Sequence, residues 1–366
     1  MYNKIILFLA LISPFTIFAQ MDFSYPTADG EVEINQRMQE LGIPGVSIAV
    51  IKDGQIHTVM QWGQANPNTG ATVQATTLFQ AGSMTAGLTG IAVLKAVEEG
   101  KIDLQTDINQ YLTSWKLPEN KYTKNDPVTV LDLLLKRRGF TQNQKPKGYA
   151  QGTALPSLLE VLNGLGNTKA VKLRSGTHQQ ENYSFETEVI LQQLLEDVYN
   201  QKFQEIIQTQ VMIPAGMKNS SIQVLLDEEA KSRAAIGFDE ANKMIPGGWN
   251  IYPESASAGL WTTAEDYAKM IQQLLLAYQG KEGQLLSPAM AKQALTKAHN
   301  SKAMLYNNWG PEANFGYGGA PMGYYATFEA NPEQDWAVVI LCNKFLQWRF
   351  VNELRAGLKT KFELGQ

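Results

Sequence analysis

The chain has 366 residues, of which 44% are hydrophobic and 18% charged, and its formal net charge is -4. That length and balance describe a folded protein with a large core and one or two domains. No basic patch or long basic run points to nucleic acid as a partner. Cys342 is the one cysteine, so no intrachain disulfide forms, and its apolar surroundings in sequence read as a buried inert thiol. The three histidines, at 57, 178 and 299, lack metal-ligand spacing, and neither a metal nor another cofactor is expected.

Residues 1–19 read as a signal peptide, with Lys4, an apolar stretch over 5–12, and Phe18-Ala19 before Gln20. The stretch is too short for a membrane span, and Pro14 follows closely. Export to a periplasm or beyond is the expectation. Residues 31–41 pattern as a helix ending at Gly42. Strands are predicted over 46–51 and 55–63, joined by an Asp53-Gly54 turn.

The segment Phe79-Gln80-Ala81-Gly82-Ser83-Met84-Thr85-Ala86 then delivers Ser83 to the start of an apolar run through Leu88, Ile91, Val93 and Leu94. That run predicts a buried helix. A serine at such a helix start sits where free N–H groups and the helix dipole favour developing negative charge. Ala86 stands one turn later on the same face.

Further on, Leu135-Lys136-Arg137-Arg138-Gly139 sets three cations in a row, and residues 141–168 read as an insertion or lid with a short helix over 155–162. Amphipathic helices are predicted over 189–199 and 202–210, and a strand-like segment over 211–221. Thr263 is a helix N-cap with Asp266 three residues on. Strands at 325–330 and 335–343 and a helix over 350–362 close the chain.

Gly82-Ser83-Met84-Thr85 before an apolar helix, with Glu98-Glu99-Gly100-Lys101-Ile102-Asp103-Leu104 after it, resembles the serine β-lactamase and penicillin-binding-protein family, especially its class C and esterase-like branch. The resemblance runs over 31–362. Pro214-Ala215-Gly216-Met217 and the stretch 257–266 are similar to turns of that family that carry no chemistry. It implies an α+β fold. An antiparallel sheet flanked by helices (20–80 and 255–366) would meet a mostly helical part (81–254) at an active-site cleft.

The family's motifs are altered here. Ser-x-x-Lys becomes Ser83-x-x-Ala86, Tyr-x-Asn becomes Tyr183-x-Phe185, and His/Lys-x-Gly becomes Tyr317-x-Gly319. A neutral Thr-His-Thr-Ser-Gly-type loop becomes the cationic one at 135–139. A serine nucleophile needs a base, and Ala86 has no nitrogen to accept a proton.

Two functions follow from the resemblance. In the first, the protein is a secreted pseudoenzyme without efficient β-lactamase or peptidase activity. It binds a small molecule or peptide among Tyr183, Phe185, Tyr317 and Tyr324, unless those aromatics simply fill core. In the second, it is a divergent serine hydrolase or acyltransferase. Ser83 is then the nucleophile, Tyr183 the base, and Lys136, Arg137 or Arg138 reaches in to replace the lost ammonium; the alternative for those cations is a solvated loop. An oxyanion hole from the Ser83 N–H and a backbone N–H near Gly319 or Ala320 needs no side chain and survives in either case.

Overall fold

The computed structural model describes residues 22–141, 147–175, 185–281, 285–297, 303–308 and 313–365. The expected leader and Tyr183 lie outside them.

Alternating side chains build the main sheet. Along Gly45–Lys52, Val46, Ile48 and Val50 face one side and Ala49 and Ile51 the other. Trp336–Cys342 pairs with this strand and alternates in the same way, Val338 and Ile340 against Val339 and Leu341. Among the described residues the sheet has seven strands, all antiparallel to their neighbours. Their order is Asn307–Asn308, Phe315–Gly319, Tyr325–Asn331, Trp336–Cys342, Gly45–Lys52, Gln55–Asn66, Ala71–Thr72. Strands from an early and a late part of the chain, Gly45–Lys52 and Trp336–Cys342, therefore meet in the middle of one sheet. The Asp53-Gly54 turn takes positive φ at both residues, 52° and 70°, as a two-residue hairpin requires.

Helices Ile34–Leu41 and Trp348–Lys361 supply the layer that includes Met38, Phe350 and Leu354. On the opposite face lies Ala264–Tyr278, with Thr85–Glu98 in the same core. The latter helix is buried nearly all round, as its apolar sequence predicts. A small sheet feeds it: Leu260–Thr262 lies between Phe79–Gln80 and Ser221–Ile222.

Several elements differ from the sequence reading. Residues 31–33 belong to a strand, Gly30–Glu33, and the Glu33 carboxylate caps the helix that starts at Ile34. The strand-like segment at 211–221 begins as helix, a π-type turn Gln208–Met212 running into Ile213–Ala215 and stopped by Gly216 at φ 74°. A short apolar run with β-branched residues fits a buried helix as well as a strand, and here the helix continues from Phe203–Ile207. The short helix of the 141–168 segment is Leu158–Leu162, opened by a Ser157–Glu160 capping box. Thr263 caps as expected, but Asp266 turns away, accepting from the Asn219 N–H (2.6 Å) and Ser220 Oγ (2.9 Å). Among the described residues, no helix is long and apolar enough to cross a membrane.

Candidate active site

Ser83 sits in a tight 3-10 turn, Gly82–Met84, that runs straight into Thr85–Glu98. Gly82 has φ 53°, and a Cβ there would lie 2.5 Å from Pro321 Cδ, so glycine is required on both counts. Three contacts fix the turn. Thr85 Oγ1 donates to the Gly82 carbonyl (2.6 Å) and accepts from the Leu260 N–H (3.2 Å), and the Tyr267 hydroxyl donates to the Met84 carbonyl (3.2 Å). Ser83 is left 6% exposed.

The strand Phe315–Gly319 ends against this turn. A Cβ on Gly319 would fall 2.0 Å from the Ala81 carbonyl oxygen and 2.8 Å from the Ser83 nitrogen. Only a bare backbone can come this close. Ala320, the next residue, lines a cavity with Ser83, Tyr252, Glu254 and Ser257. Ser83 and Ala320 thus border one space, the place where a two-amide oxyanion cradle would form. The cavity measures about 30 Å³, room for one or two waters. A larger groove of about 610 Å³ adjoins it through Tyr252 and Ala320, with Met322, Phe345 and Leu346 as apolar walls and Lys147, Asp239 and Glu240 as charged ones.

The three cations of 136–138 part company. The helix Val130–Leu134 ends in a Schellman turn, with the Lys136 N–H on the Leu133 carbonyl and the Arg137 N–H on that of Asp132. This puts Lys136 in the left-handed region at φ 52°, a place usually given to glycine. Its ammonium meets Glu188 Oε1 at 2.8 Å and donates to the Tyr317 hydroxyl at 2.6 Å. A cation therefore stands at the third-motif position after all, supplied by the facing loop. Arg138 turns inward instead, donating to Asp132 (2.9 Å) and to both oxygens of Asp126 (2.6 and 2.9 Å). Arg137 lies 3.9 Å from Asp132.

Phe185 and Tyr324 are interior side chains, 2% and 0% exposed. The Tyr324 hydroxyl donates to the Ala235 carbonyl (2.6 Å), and its ring packs edge-on to Trp261. Both fill core beside the site, the alternative left open for the aromatic set. Tyr317 is nearly buried but keeps its hydroxyl on Lys136.

Glu254 was missed in the sequence. It precedes the short helix Ser255–Ala258 and is fully buried, yet neither carboxylate oxygen is hydrogen-bonded to another residue. Burial pushes its carboxyl up to about 7, opposed only by its own backbone N–H. The available signal was an acid set among small, burial-prone residues, Ser255-Ala256-Ser257-Ala258-Gly259. Tyr252 anchors the same wall, its hydroxyl accepting from the Met322 N–H (3.0 Å) and donating to the Lys147 carbonyl (3.2 Å).

The sequence model of the Beta-lactamase family matches residues 33–359. Protein flp of Staphylococcus aureus (strain N315) is 22% identical over 348 residues, covering 90% of this chain and 65% of its own length. The chain thus spans just under two thirds of that relative. A putative D-alanyl-D-alanine carboxypeptidase of Salmonella gallinarum is 25% identical over 205 residues, covering 52% of this chain and 46% of the relative. Among solved structures, FmtA of Staphylococcus aureus aligns with TM-score 0.71 at 18% identity, covering 89% of this chain and 88% of the other. A penicillin-binding protein of Bacillus halodurans aligns at 0.69 and 18%, covering 89% and 98%. At these identities the structural likeness establishes the fold.

Proposed function

Because the chain belongs to the Beta-lactamase family, we propose that it is a divergent, exported serine acyl hydrolase, of esterase or amidase type, with Ser83 as nucleophile. The observation that carries this reading is the contact of Gly319 with the Ser83 amide. A two-amide oxyanion cradle is what a nucleophilic serine needs to stabilise its tetrahedral adduct. Holding it requires two glycines and a tight turn, and a purely structural serine cap would need none of them.

The acyl carbon would sit over Ser83 with its oxygen toward the Ser83 and Ala320 amides, where fixed dipoles stabilise the tetrahedral adduct. The rest of the substrate would lie along Met322, Phe345 and Leu346. Lys136 stands near the position where the family binds a substrate carboxylate, but Glu188 already neutralises it. This favours neutral esters and amides over β-lactams with a free carboxylate. The name of the Salmonella relative adds a peptide amide to the candidate substrates.

One observation favours the binding reading: with Ala86 in place of lysine, Ser83 lacks the amine one turn away that its relatives' motif supplies. Labelling with a fluorophosphonate probe separates the two. The wild type is expected to label at Ser83 and Ser83→Ala to stay unlabelled. If neither labels, or both label equally, the protein is a binding module.

A further inference from the structure

We propose that Glu254 is the proton acceptor for Ser83, reaching it across the small cavity that both residues line. The inference rests on the hydrolase reading above and adds to it a carboxylate base where Ala86 leaves no lysine.

Three observations carry it. First, Glu254 and Ser83 border the same cavity, about 30 Å³ in volume, which has room for one or two waters and little else. A proton can cross such a gap through a single water. Second, both Glu254 oxygens are buried with no partner in another residue. A buried carboxylate is costly unless paired, and nothing structural is gained from this one: the caps of Ser255–Ala258 use the Glu254 carbonyl, which accepts from Ser257 and Ala258, and never its side chain. Third, among the described residues the cavity is otherwise walled by small residues and Tyr252, with no cation among them to hold the carboxylate charged or to compete for it. Burial alone has brought it to a range where it accepts and returns protons near neutral pH.

The wall is fastened to the serine turn, so the two groups keep their relation. The Thr89 hydroxyl donates to the Ala256 carbonyl (3.3 Å), and Gln192 Oε1 accepts from the Ala256 N–H (3.0 Å). These tie residues 254–258 to Thr85–Glu98 and to Glu186–Tyr199.

The step balances. As Ser83 Oγ bonds to the carbonyl carbon of a bound ester or amide, its proton passes through the cavity water to Glu254. Collapse of the tetrahedral adduct breaks the bond to the departing alcohol or amine, which takes that proton back. Water then attacks the Ser83 ester, gives its proton to Glu254, and the released Ser83 oxygen recovers it. No other reactant is consumed.

The test measures fluorophosphonate labelling rates from pH 5 to 9 for the wild type, Ser83→Ala and Glu254→Gln. The wild-type rate should rise with pH and level off above about 7. Glu254→Gln should label about 100- to 10,000-fold more slowly, without the step, while its thermal unfolding temperature stays equal to or above the wild type's. Wild-type labelling that is matched in rate and pH profile by Glu254→Gln overturns the role of Glu254 and leaves Ser83 as nucleophile. A wild type that does not label at Ser83 overturns the hydrolase reading, and this inference with it.

Discussion

The Lys136 ammonium donates a 2.6 Å hydrogen bond to the Tyr317 hydroxyl while standing 2.8 Å from Glu188 Oε1. Three segments far apart in the chain therefore converge on one charge. The Glu188 side chain is 2% exposed and that of Lys136 13%, so the pair is shielded from solvent and each member depends on the other. Removing one partner of a buried pair leaves the other charge stranded, at a cost of about 3–5 kcal/mol. Lys136→Met is expected to lose stability on that scale in urea unfolding, and Lys136→Met with Glu188→Gln to recover most of it. A double variant no more stable than the single one would mean that the pair is not coupled.

The adjacent glycines of the third motif should behave in opposite ways. A Cβ on Gly318 meets nothing closer than 3.5 Å, an ordinary contact, whereas one on Gly319 strikes the Ala81 carbonyl at 2.0 Å. Gly318→Ala should be neutral or gain about 0.5–1 kcal/mol from reduced chain freedom. Gly319→Ala should lose about 1–3 kcal/mol or more to overpacking, and with it Ser83 labelling. Thermal unfolding beside probe labelling of the two variants checks both halves.

What the sequence revealed divides by physical kind. The hairpin at 53–54, the buried helix after Ser83 and the Thr263 cap follow from local pattern, and the structure has them. The altered motifs were also legible, because they are identities at fixed spacing. Which of Lys136, Arg137 and Arg138 enters the cleft was not. Adjacent residues in a turn point in different directions, and the choice depends on Asp126, Asp132 and Glu188, two of them before the loop and one about 50 residues after it. The role of Glu254 was hidden for a related reason. The small residues 255–259 hint at its burial, but its place beside Ser83 is created only when the small sheet pairs Leu260–Thr262 with Phe79–Gln80.

Glu254 should also imprint a pH dependence on stability. Its carboxyl lies at about 7 in the folded chain against an ordinary 4.5. Between those values the folded state keeps a proton that the unfolded state has released, so this group's contribution falls as pH rises from about 4.5 and levels off above about 7. The full cost is on the order of 3 kcal/mol. Glu254→Gln cannot ionise and escapes it. The variant should match the wild type at pH 4 and exceed it at pH 8 in denaturant unfolding. A constant difference across that range would show that the carboxyl does not titrate there.

Charge neutralisation at Lys136 leads to a specificity prediction. With Glu188 2.8 Å away, the ammonium offers little net attraction to a substrate carboxylate. Glu188→Gln keeps a hydrogen-bond acceptor of the same shape but removes the negative charge, leaving Lys136 with an unbalanced positive one. Two charges about 4 Å apart at a partly shielded site interact by about 4 kcal/mol before desolvation is counted, and a net gain of about tenfold in affinity is expected after it. Benzylpenicillin should therefore compete with fluorophosphonate labelling about tenfold better in Glu188→Gln than in the wild type. A neutral ester of similar size should compete equally in both. Equal benzylpenicillin competition in the two proteins would place the carboxylate subsite elsewhere than at Lys136. A gain for the neutral ester as well would mean that the substitution opens the cleft rather than unmasking a charge.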